Sequence, residues 1–185
     1  MRLDQLSEEV GDQVVVTWRS YLLRPEPRAS SLERFRAYTQ SWLRPGSMAP
    51  EVSFVPWATD HAQPSHSLPS AVAGKVAASF GPEAWDRYHL ALMRAYFTDN
   101  RTISETDVQV DVAGECGLES DEFARRLAEN GEALAVQVRR EHAEAMDHMV
   151  TAVPTVLVND LLPIPGAQEL DVYVDVIRRI AAKAT

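Results

Sequence analysis

The chain has 185 residues, of which 45% are hydrophobic and 24% are charged, and its formal net charge is -9 at pH 7. This acidic balance argues against nucleic acid as a partner, because affinity for a phosphate backbone comes mainly from Lys and Arg. No apolar run approaches the roughly 20 residues that span a membrane, and no secretory signal follows Met1, so the sequence predicts no membrane partner and favours a cytoplasmic location.

The N-terminal segment predicts the end of a helix followed by a strand. Apolar residues within 3–10 are spaced i, i+3, i+7, and Gly11 is suited to end a helix. Val14, Val16 and Trp18 then stand at every second position, an alternation that is typical of a half-buried strand. The prolines within 24–27 end it.

Residues 30–69 predict a long, loop-rich connection with a weak helical pattern over 32–43. Loops of this length inside a compact domain are usually functional or mobile. The aromatic residues of this stretch are interpreted as packing against the cleft rather than as a cofactor site.

A series of helices follows. Gly81-Pro82 marks the end of one helix and the start of a second that carries a broad aromatic stripe. Ser104, with an acidic residue three positions later, predicts the N-terminal cap of another helix, which Gly117 ends. Two further helices are predicted, one from Ser120 and one from Glu132.

The C-terminal part predicts two short strands and a terminal helix. Pro154 opens the run Thr-Val-Leu-Val, and a proline belongs at the first position of a strand because it cannot donate into the ladder. A second strand is predicted over 161–164, and apolar residues at helical spacing follow within 170–180.

The order of four motifs resembles the DsbA family of thioredoxin-fold proteins, particularly its FrnE-type branch. The motifs are Trp18-Arg19-Ser20-Tyr21-Leu22-Leu23-Arg24-Pro25, the aromatic helix that begins at Gly81-Pro82, Val153-Pro154-Thr155 and Gly166-Ala167-Gln168. A single Val-Pro-Thr step is a weak signal, but the four motifs in this order are a specific one. The resemblance covers nearly the whole chain.

The resemblance implies an α/β thioredoxin-like fold with a helical insertion. Residues 1–29 and 150–185 would form the core, and 30–149 would be the loop and helical insertion of the same single domain. In the family, a strand carrying Cys-x-x-Cys precedes the first helix, so Met1 is expected to fall partway through that helix. The expected explanations are a start site assigned too far downstream, or a sheet completed by a partner chain such as a second copy.

The resemblance also assigns candidate binding residues. In the family, the residue before a cis-proline presents its backbone to a bound thiol or peptide, and Val153 and Pro154 match these positions. His66 stands where related kappa-class glutathione transferases and hydroxychromene carboxylate isomerases carry an asparagine in the cleft. A histidine can act as acid or base near neutral pH, although an exposed loop histidine is the simpler interpretation.

Cys116 is the single cysteine, which excludes an intrachain disulfide and a Cys-x-x-Cys pair and fits a reducing compartment. At the end of a helix and beside Glu115, its thiol is expected to have a raised pKa, so the sequence predicts a packed residue rather than a nucleophile. His142, Glu144 and His148 do not have the spacing of a zinc site, because the two histidines lie six residues apart. No catalytic residue, metal or cofactor is therefore predicted.

By resemblance, the function is thiol:disulfide oxidoreduction on a peptide or a small-molecule thiol. Without its own cysteine pair the chain is expected to be inactive in dithiol exchange, which leaves its standing as an enzyme open. One alternative is a glutathione-dependent isomerase or transferase of the kappa or hydroxychromene carboxylate isomerase type, with glutathione as the substrate. The other is a non-catalytic binding module that keeps the cleft.

Overall fold

The computed structural model describes residues 2–11, 14–28, 30–48 and 53–183. The chain divides into two compact units: one joins Met1–Tyr21 with Arg140–Thr185, and the other comprises Leu22–Arg139. Among the described residues, no helix combines the length and the apolar character needed to cross a bilayer.

Eight α-helices, one 3-10 turn and two strands are present in the described residues. The helices are α1 (Arg2–Val10), α2 (Leu32–Thr39), α3 (Leu43–Met48), α4 (Leu68–Ala78), α5 (Pro82–Phe97), α6 (Thr106–Glu115), α7 (Ser120–Asp147) and α8 (Leu170–Lys183), the 3-10 turn is Gln40–Trp42, and the strands are β1 (Thr155–Val158) and β2 (Leu162–Pro165). The mainly helical chain with a small sheet matches the expected α/β class with a helical insertion.

In the first unit, α1 and α8 pack against one face of the β1–β2 hairpin. The buried residues of this core are Leu6, Val10, Ile164, Tyr173 and Val174, with Val156 and Val158 packed against them. Gly11 ends α1 with a φ of +56°, the left-handed conformation that glycine adopts without strain. The helix predicted before Gly11 is therefore confirmed.

The hairpin is antiparallel, with Thr155 opposite Pro165 and Val158 opposite Leu162. Its turn places Asn159 and Asp160 at φ values of +53° and +55°. Two consecutive left-handed residues form the turn type that suits the twist of a tight hairpin, and Asn and Asp tolerate that conformation best among residues with side chains. Both predicted C-terminal strands are confirmed, the second one residue further along.

The strand predicted over residues 14–18 does not form. Residues 14–20 lie outside regular secondary structure, and Val15 is 90% exposed. Of the alternating side chains, Val14 alone packs against the core of the first unit. A strand requires a ladder partner, and within the described residues the sheet consists of β1 and β2 alone. The segment is held instead by Glu141, whose buried carboxylate accepts the Ser20 N–H at 2.7 Å.

In the second unit, α4, α5, α6 and the start of α7 enclose a core centred on Tyr88 and Phe123, neither of which is exposed. The helices predicted from Ser120 and Glu132 form one helix of 28 residues, so the predicted break is wrong. Gly131 lies inside it, and a glycine within a helix costs only about 1 kcal/mol. Such a cost is too small to end a long amphipathic helix that packs along its length.

The aromatic residues of the 30–69 stretch form a second core in this unit. Phe35, Trp42 and Trp57 are buried and contact one another edge to face, with ring centroids between 4.9 and 6.5 Å apart. Tyr96 and Phe97 at the end of α5 complete the cluster. A packing role is thus confirmed for Phe35, Trp42 and Trp57, which pack with one another and with the end of α5.

Candidate functional site

Val153 and Pro154 lie in the exposed turn that leads into β1, and the peptide bond between them is cis. Two hydrogen bonds hold this turn. The Thr155 hydroxyl donates to the Ala152 carbonyl at 2.7 Å, and the Gly166 N–H donates to the Pro154 carbonyl at 2.8 Å. The Val153 backbone forms no hydrogen bond within the described part of the chain, and its side chain is 43% exposed. The turn therefore holds the Val153 backbone in place without pairing its N–H and C=O groups to any described residue.

The Gly166-Ala167-Gln168 motif connects the hairpin to α8. Gly166 has a φ of +78°. Its carbonyl accepts a hydrogen bond from the buried Tyr173 hydroxyl at 3.3 Å, and the same hydroxyl accepts the Gln168 N–H at 3.2 Å. The Gln168 side chain donates to the Pro165 carbonyl at 2.6 Å. The motif thus holds Gly166, the residue after β2, in the position from which its N–H bonds the Pro154 carbonyl.

His66 lies in the second unit, in the loop before α4, and is half-buried rather than exposed. Its Nδ1 lies 2.9 Å from the Ser65 hydroxyl. Residues 63–67 run beside residues 24–28, where the Ser67 N–H donates to the Arg24 carbonyl at 2.9 Å. The Arg28 N–H likewise donates to the Ser65 carbonyl at 3.1 Å.

On the α5–α6 connection, every second residue bonds the segment that leads to His66. The Thr98 hydroxyl donates to the Ser53 carbonyl at 2.6 Å, and the Thr102 hydroxyl donates to the Ala62 carbonyl at 2.6 Å. The Asn100 carboxamide bonds the backbone of Val55 and Ala58. The Ser104 hydroxyl accepts the Ser65 N–H at 3.2 Å. We call Thr98, Asn100, Thr102 and Ser104 the polar zipper. Because Ser104 bonds Ser65, it does not cap α6; Glu105 occupies the cap position without a side-chain bond.

Sequence reasoning missed the polar zipper. The sequence pattern that could have indicated it is the alternation of Thr, Asn, Thr and Ser between two predicted helices. In a connection of this kind, alternate side chains can lie on one side and bond the backbone of the same neighbouring segment. The zipper and residues 24–28 hold the His66 segment from two directions. Next to it lies an open cavity of about 380 Å³, lined by Pro27, Arg28, Ser30, Leu32, Ala62, Gln63 and Ser65.

Cys116 lies at the C-terminus of α6 in the second unit, and its thiol donates to the Ala113 carbonyl at 3.3 Å. Burial raises the pKa of the Cys116 thiol, and Glu115 adds to this effect, whereas Arg87 opposes it. The predicted direction is confirmed, but burial rather than the end of the helix is the largest cause.

We expect iodoacetamide to alkylate Cys116 more slowly at pH 8 than it alkylates an unstructured cysteine peptide. The rate should continue to rise above pH of about 8.5, the ordinary value for a thiol, because the thiolate is the reacting form and its pKa is raised. Arg87→Gln removes the opposing cation and should slow the reaction further. Alkylation at pH 8 as fast as that of the free peptide would contradict this assignment.

Of the three residues considered as metal ligands, His142 and Glu144 lie on α7 and His148 directly follows it, all within the first unit. The His142 ring contacts Tyr21 edge to face, with centroids 4.9 Å apart. The Glu144 carboxylate lies 3.7 Å from Arg19 and 3.5 Å from Arg140. Among the described residues, no group of three or more His, Cys, Asp or Glu side chains is placed to hold a metal ion.

The predicted binding residues belong to different units: Val153 and Pro154 lie in the first and His66 in the second. The solved structures that resemble the chain include two proteins named for disulfide chemistry. A candidate protein disulfide isomerase from Nitrosomonas europaea is 10% identical with a TM-score of 0.77, and covers 100% of this chain and 90% of its own. The cytosolic disulfide reductase DsbM from Pseudomonas aeruginosa is 19% identical with a TM-score of 0.67, over 99% of this chain and 89% of its own.

A comparison with curated proteins finds no match. The sequence model of the DSBA-like thioredoxin domain matches residues 1–178, which include the Val153-Pro154 turn, the Gly166 motif and the segment around Trp18. The chain belongs to the family of DSBA-like thioredoxin domains.

Proposed function

We propose that this chain is a cytoplasmic, FrnE-like member of its family that binds extended thiol- or disulfide-containing peptides at Val153-Pro154 without running a dithiol cycle. The observation that carries the proposal is the combination of an open Val153 backbone with a single cysteine whose thiol pKa is raised. A dithiol cycle needs an attacking thiolate and a second thiol that resolves the mixed disulfide. The sequence contains one thiol, which leaves no second thiol for the resolving step, and the raised pKa of Cys116 lowers its thiolate fraction.

The geometry of the turn supports peptide binding. An extended peptide gains affinity from main-chain hydrogen bonds to a backbone that is already fixed, because little entropy is then lost on binding. The bonds from Gly166 to Pro154 and from Thr155 to Ala152 hold both sides of the Val153 peptide unit in this way. The solved neighbours act on disulfides according to their names, and one of them is cytosolic, which supports the substrate class and the location.

Two measurements on the purified chain test the proposal. Reduction of insulin by dithiothreitol should proceed at the rate of the protein-free blank, and Cys116→Ser should behave identically. Calorimetry with a short unstructured peptide that contains one S-methylated cysteine should show binding. Val153→Pro removes the N–H of the presented residue and should abolish this binding, whereas Val153→Thr keeps the N–H and should retain it. Turnover above the blank, or no heat from the peptide, would overturn the proposal.

A second candidate, glutathione binding, is favoured by the cavity beside Ser65. The guanidinium-bearing Arg28 and the hydroxyls of Ser30 and Ser65 line it, and Ser65 also bonds His66. A small anionic thiol compound suits such a lining, because a guanidinium pairs well with a carboxylate. Titrating reduced glutathione in the same calorimetric experiment separates the two candidates: binding that is weakened by His66→Ala but unaffected by Val153→Pro would favour the glutathione-dependent function.

A further inference from the structure

The cavity beside Ser65 has a positively charged lining in an acidic protein. Of the described residues that line it, Arg28 is the only charged one, and none carries a carboxylate. The others have aliphatic or neutral polar side chains, and all of them belong to the second unit. A cationic cavity runs against the net charge of -9 that the chain carries as a whole.

The Arg28 side chain has no partner within the part of the chain that the structure describes. Its guanidinium forms neither a hydrogen bond nor an ion pair there, whereas Arg36, Arg101 and Arg126 of the same unit each pair with a carboxylate. The Arg28 backbone is fixed, because its N–H donates to the Ser65 carbonyl at 3.1 Å. A guanidinium that is not neutralised can donate two parallel hydrogen bonds to a carboxylate.

A second arginine lies behind the lining. The Arg24 guanidinium donates to the Pro64 carbonyl at 3.4 Å and to the Gln63 carboxamide oxygen, and both of these acceptors are neutral. Glu26 lines a smaller cavity together with the two arginines, but it forms no ion pair with either. No carboxylate among the described residues therefore neutralises Arg24 or Arg28.

The hydrogen-bonding groups that remain for a ligand are mainly donors. The Ala62 carbonyl is occupied by the Thr102 hydroxyl, and the Ser65 carbonyl is occupied by a backbone N–H. Because the Gln63 oxygen faces Arg24, its NH2 group is the part of the carboxamide left for the cavity. A guanidinium and a carboxamide NH2 suit an oxyanion, and the lining offers no anion to an ammonium group.

The rest of the lining suits a hydrocarbon chain. Pro27, Leu32 and Ala62 present aliphatic side chains to the cavity, whose volume is about 380 Å³. A ligand gains affinity from apolar surface that it removes from water against such side chains. One anionic group on a short aliphatic chain therefore matches both parts of the lining.

We propose that this cavity binds short aliphatic monocarboxylates, with the carboxylate on Arg28 and Gln63 and the chain against the aliphatic side chains. Glutathione also carries an ammonium group, for which the lining holds no counterion. The inference therefore names a different ligand from that of the second candidate function. It does not depend on peptide binding at Val153-Pro154, which belongs to the other unit.

NMR titrations of the full chain with hexanoate, 1-hexanol and hexylamine test the inference, because these compounds share a chain length and differ in their head groups. Hexanoate should give saturable shifts of the Arg28, Gln63 and Ser65 amides and leave the Val153 amide unshifted. Hexanol should bind roughly tenfold more weakly or less, because it lacks the charge-assisted hydrogen bonds, and hexylamine should not bind. Affinity should rise by up to about fourfold for each CH2 added from butanoate to hexanoate.

Two pairs of variants provide matched controls. Arg28→Gln removes the guanidinium and should abolish hexanoate binding, whereas Arg139→Gln removes the same charge from an exposed position of the same unit and should leave it unchanged. Ala62→Asp adds a carboxylate to the lining and should abolish binding with Arg28 still present. Ala62→Asn has a similar size without the charge and should retain binding. Ala62 is exposed, so both of its variants should fold.

Several results would overturn the inference. They are the absence of saturable shifts with hexanoate, hexanol binding as tight as that of hexanoate, and hexanoate binding that Arg28→Gln leaves unchanged. Binding of reduced glutathione without binding of hexanoate would also overturn it and would favour the second candidate function. None of these results affects the peptide titration at Val153, so the monocarboxylate site and the peptide site can fail separately.

Discussion

Replacing Phe123 with alanine is expected to lower the free energy of unfolding by about 3–5 kcal/mol, the usual cost of removing a buried phenylalanine side chain. Phe123 has no exposed surface and its ring centroid lies 5.1 Å from that of Tyr88 and 6.3 Å from that of Phe80. The Arg126 guanidinium in turn lies 4.0 Å from the centroid of the Phe80 ring. The cavity left by the substitution would therefore reduce packing in α4, α5 and α7 together. Urea denaturation followed by circular dichroism measures the loss.

Val136→Ala is the matched control for this prediction. Val136 lies on the same helix and is 65% exposed, so its truncation is expected to change the free energy of unfolding by less than about 0.5 kcal/mol. If Phe123→Ala cost no more than Val136→Ala, the placement of Phe123 at the centre of this core would be wrong.

Asn100→Ala is expected to lower the free energy of unfolding by about 1–3 kcal/mol, because it removes two side-chain hydrogen bonds to part-buried backbone groups. The Asn100 carboxamide accepts the Ala58 N–H at 2.8 Å and donates to the Val55 carbonyl at 3.0 Å. The residue is 2% exposed and has a φ of +54°, a conformation that asparagine adopts more easily than alanine does. The bonds on either side of Trp57 hold that ring in the aromatic core, so Trp fluorescence should change along with stability.

Asn100→Gly separates the two causes. Glycine loses the same hydrogen bonds but accepts the positive φ without strain, so the glycine variant is expected to be more stable than the alanine variant by roughly 1 kcal/mol. Thermal denaturation of the three proteins under one set of conditions makes the comparison. Equal stability of wild type and the glycine variant would show that the side-chain bonds contribute nothing.

The stability of the polar zipper also bears on the second candidate function. Asn100 and Ser104 belong to the same row of side chains, and Ser104 bonds the residue that contacts His66. If Asn100→Ala loses glutathione binding but keeps peptide binding, the polar zipper positions the residues that line the cavity and has no effect on the Val153 turn.

Local chemistry made several features of this protein predictable from sequence. Gly81-Pro82, Gly117 and Pro154 mark element boundaries because a left-handed residue or a missing N–H has the same effect in any surroundings. The order of the Trp-Arg, Val-Pro-Thr and Gly-Ala-Gln motifs indicated the family, and one cysteine in the sequence is sufficient to exclude a cysteine pair.

Tertiary structure alone decided the features that depend on distant partners. Residues 14–18 have the composition of a strand, but a strand forms only where another segment offers hydrogen bonds, and none of the described residues does so. Ser104 has a capping side chain, yet it bonds Ser65 instead of α6. The helix continues through Gly131 because packing outweighs a propensity cost of about 1 kcal/mol. The sequence by itself thus determined the family and the presence of a single cysteine, whereas the pairing of backbone groups in the folded chain decided which segments form strands and which side chains cap helices.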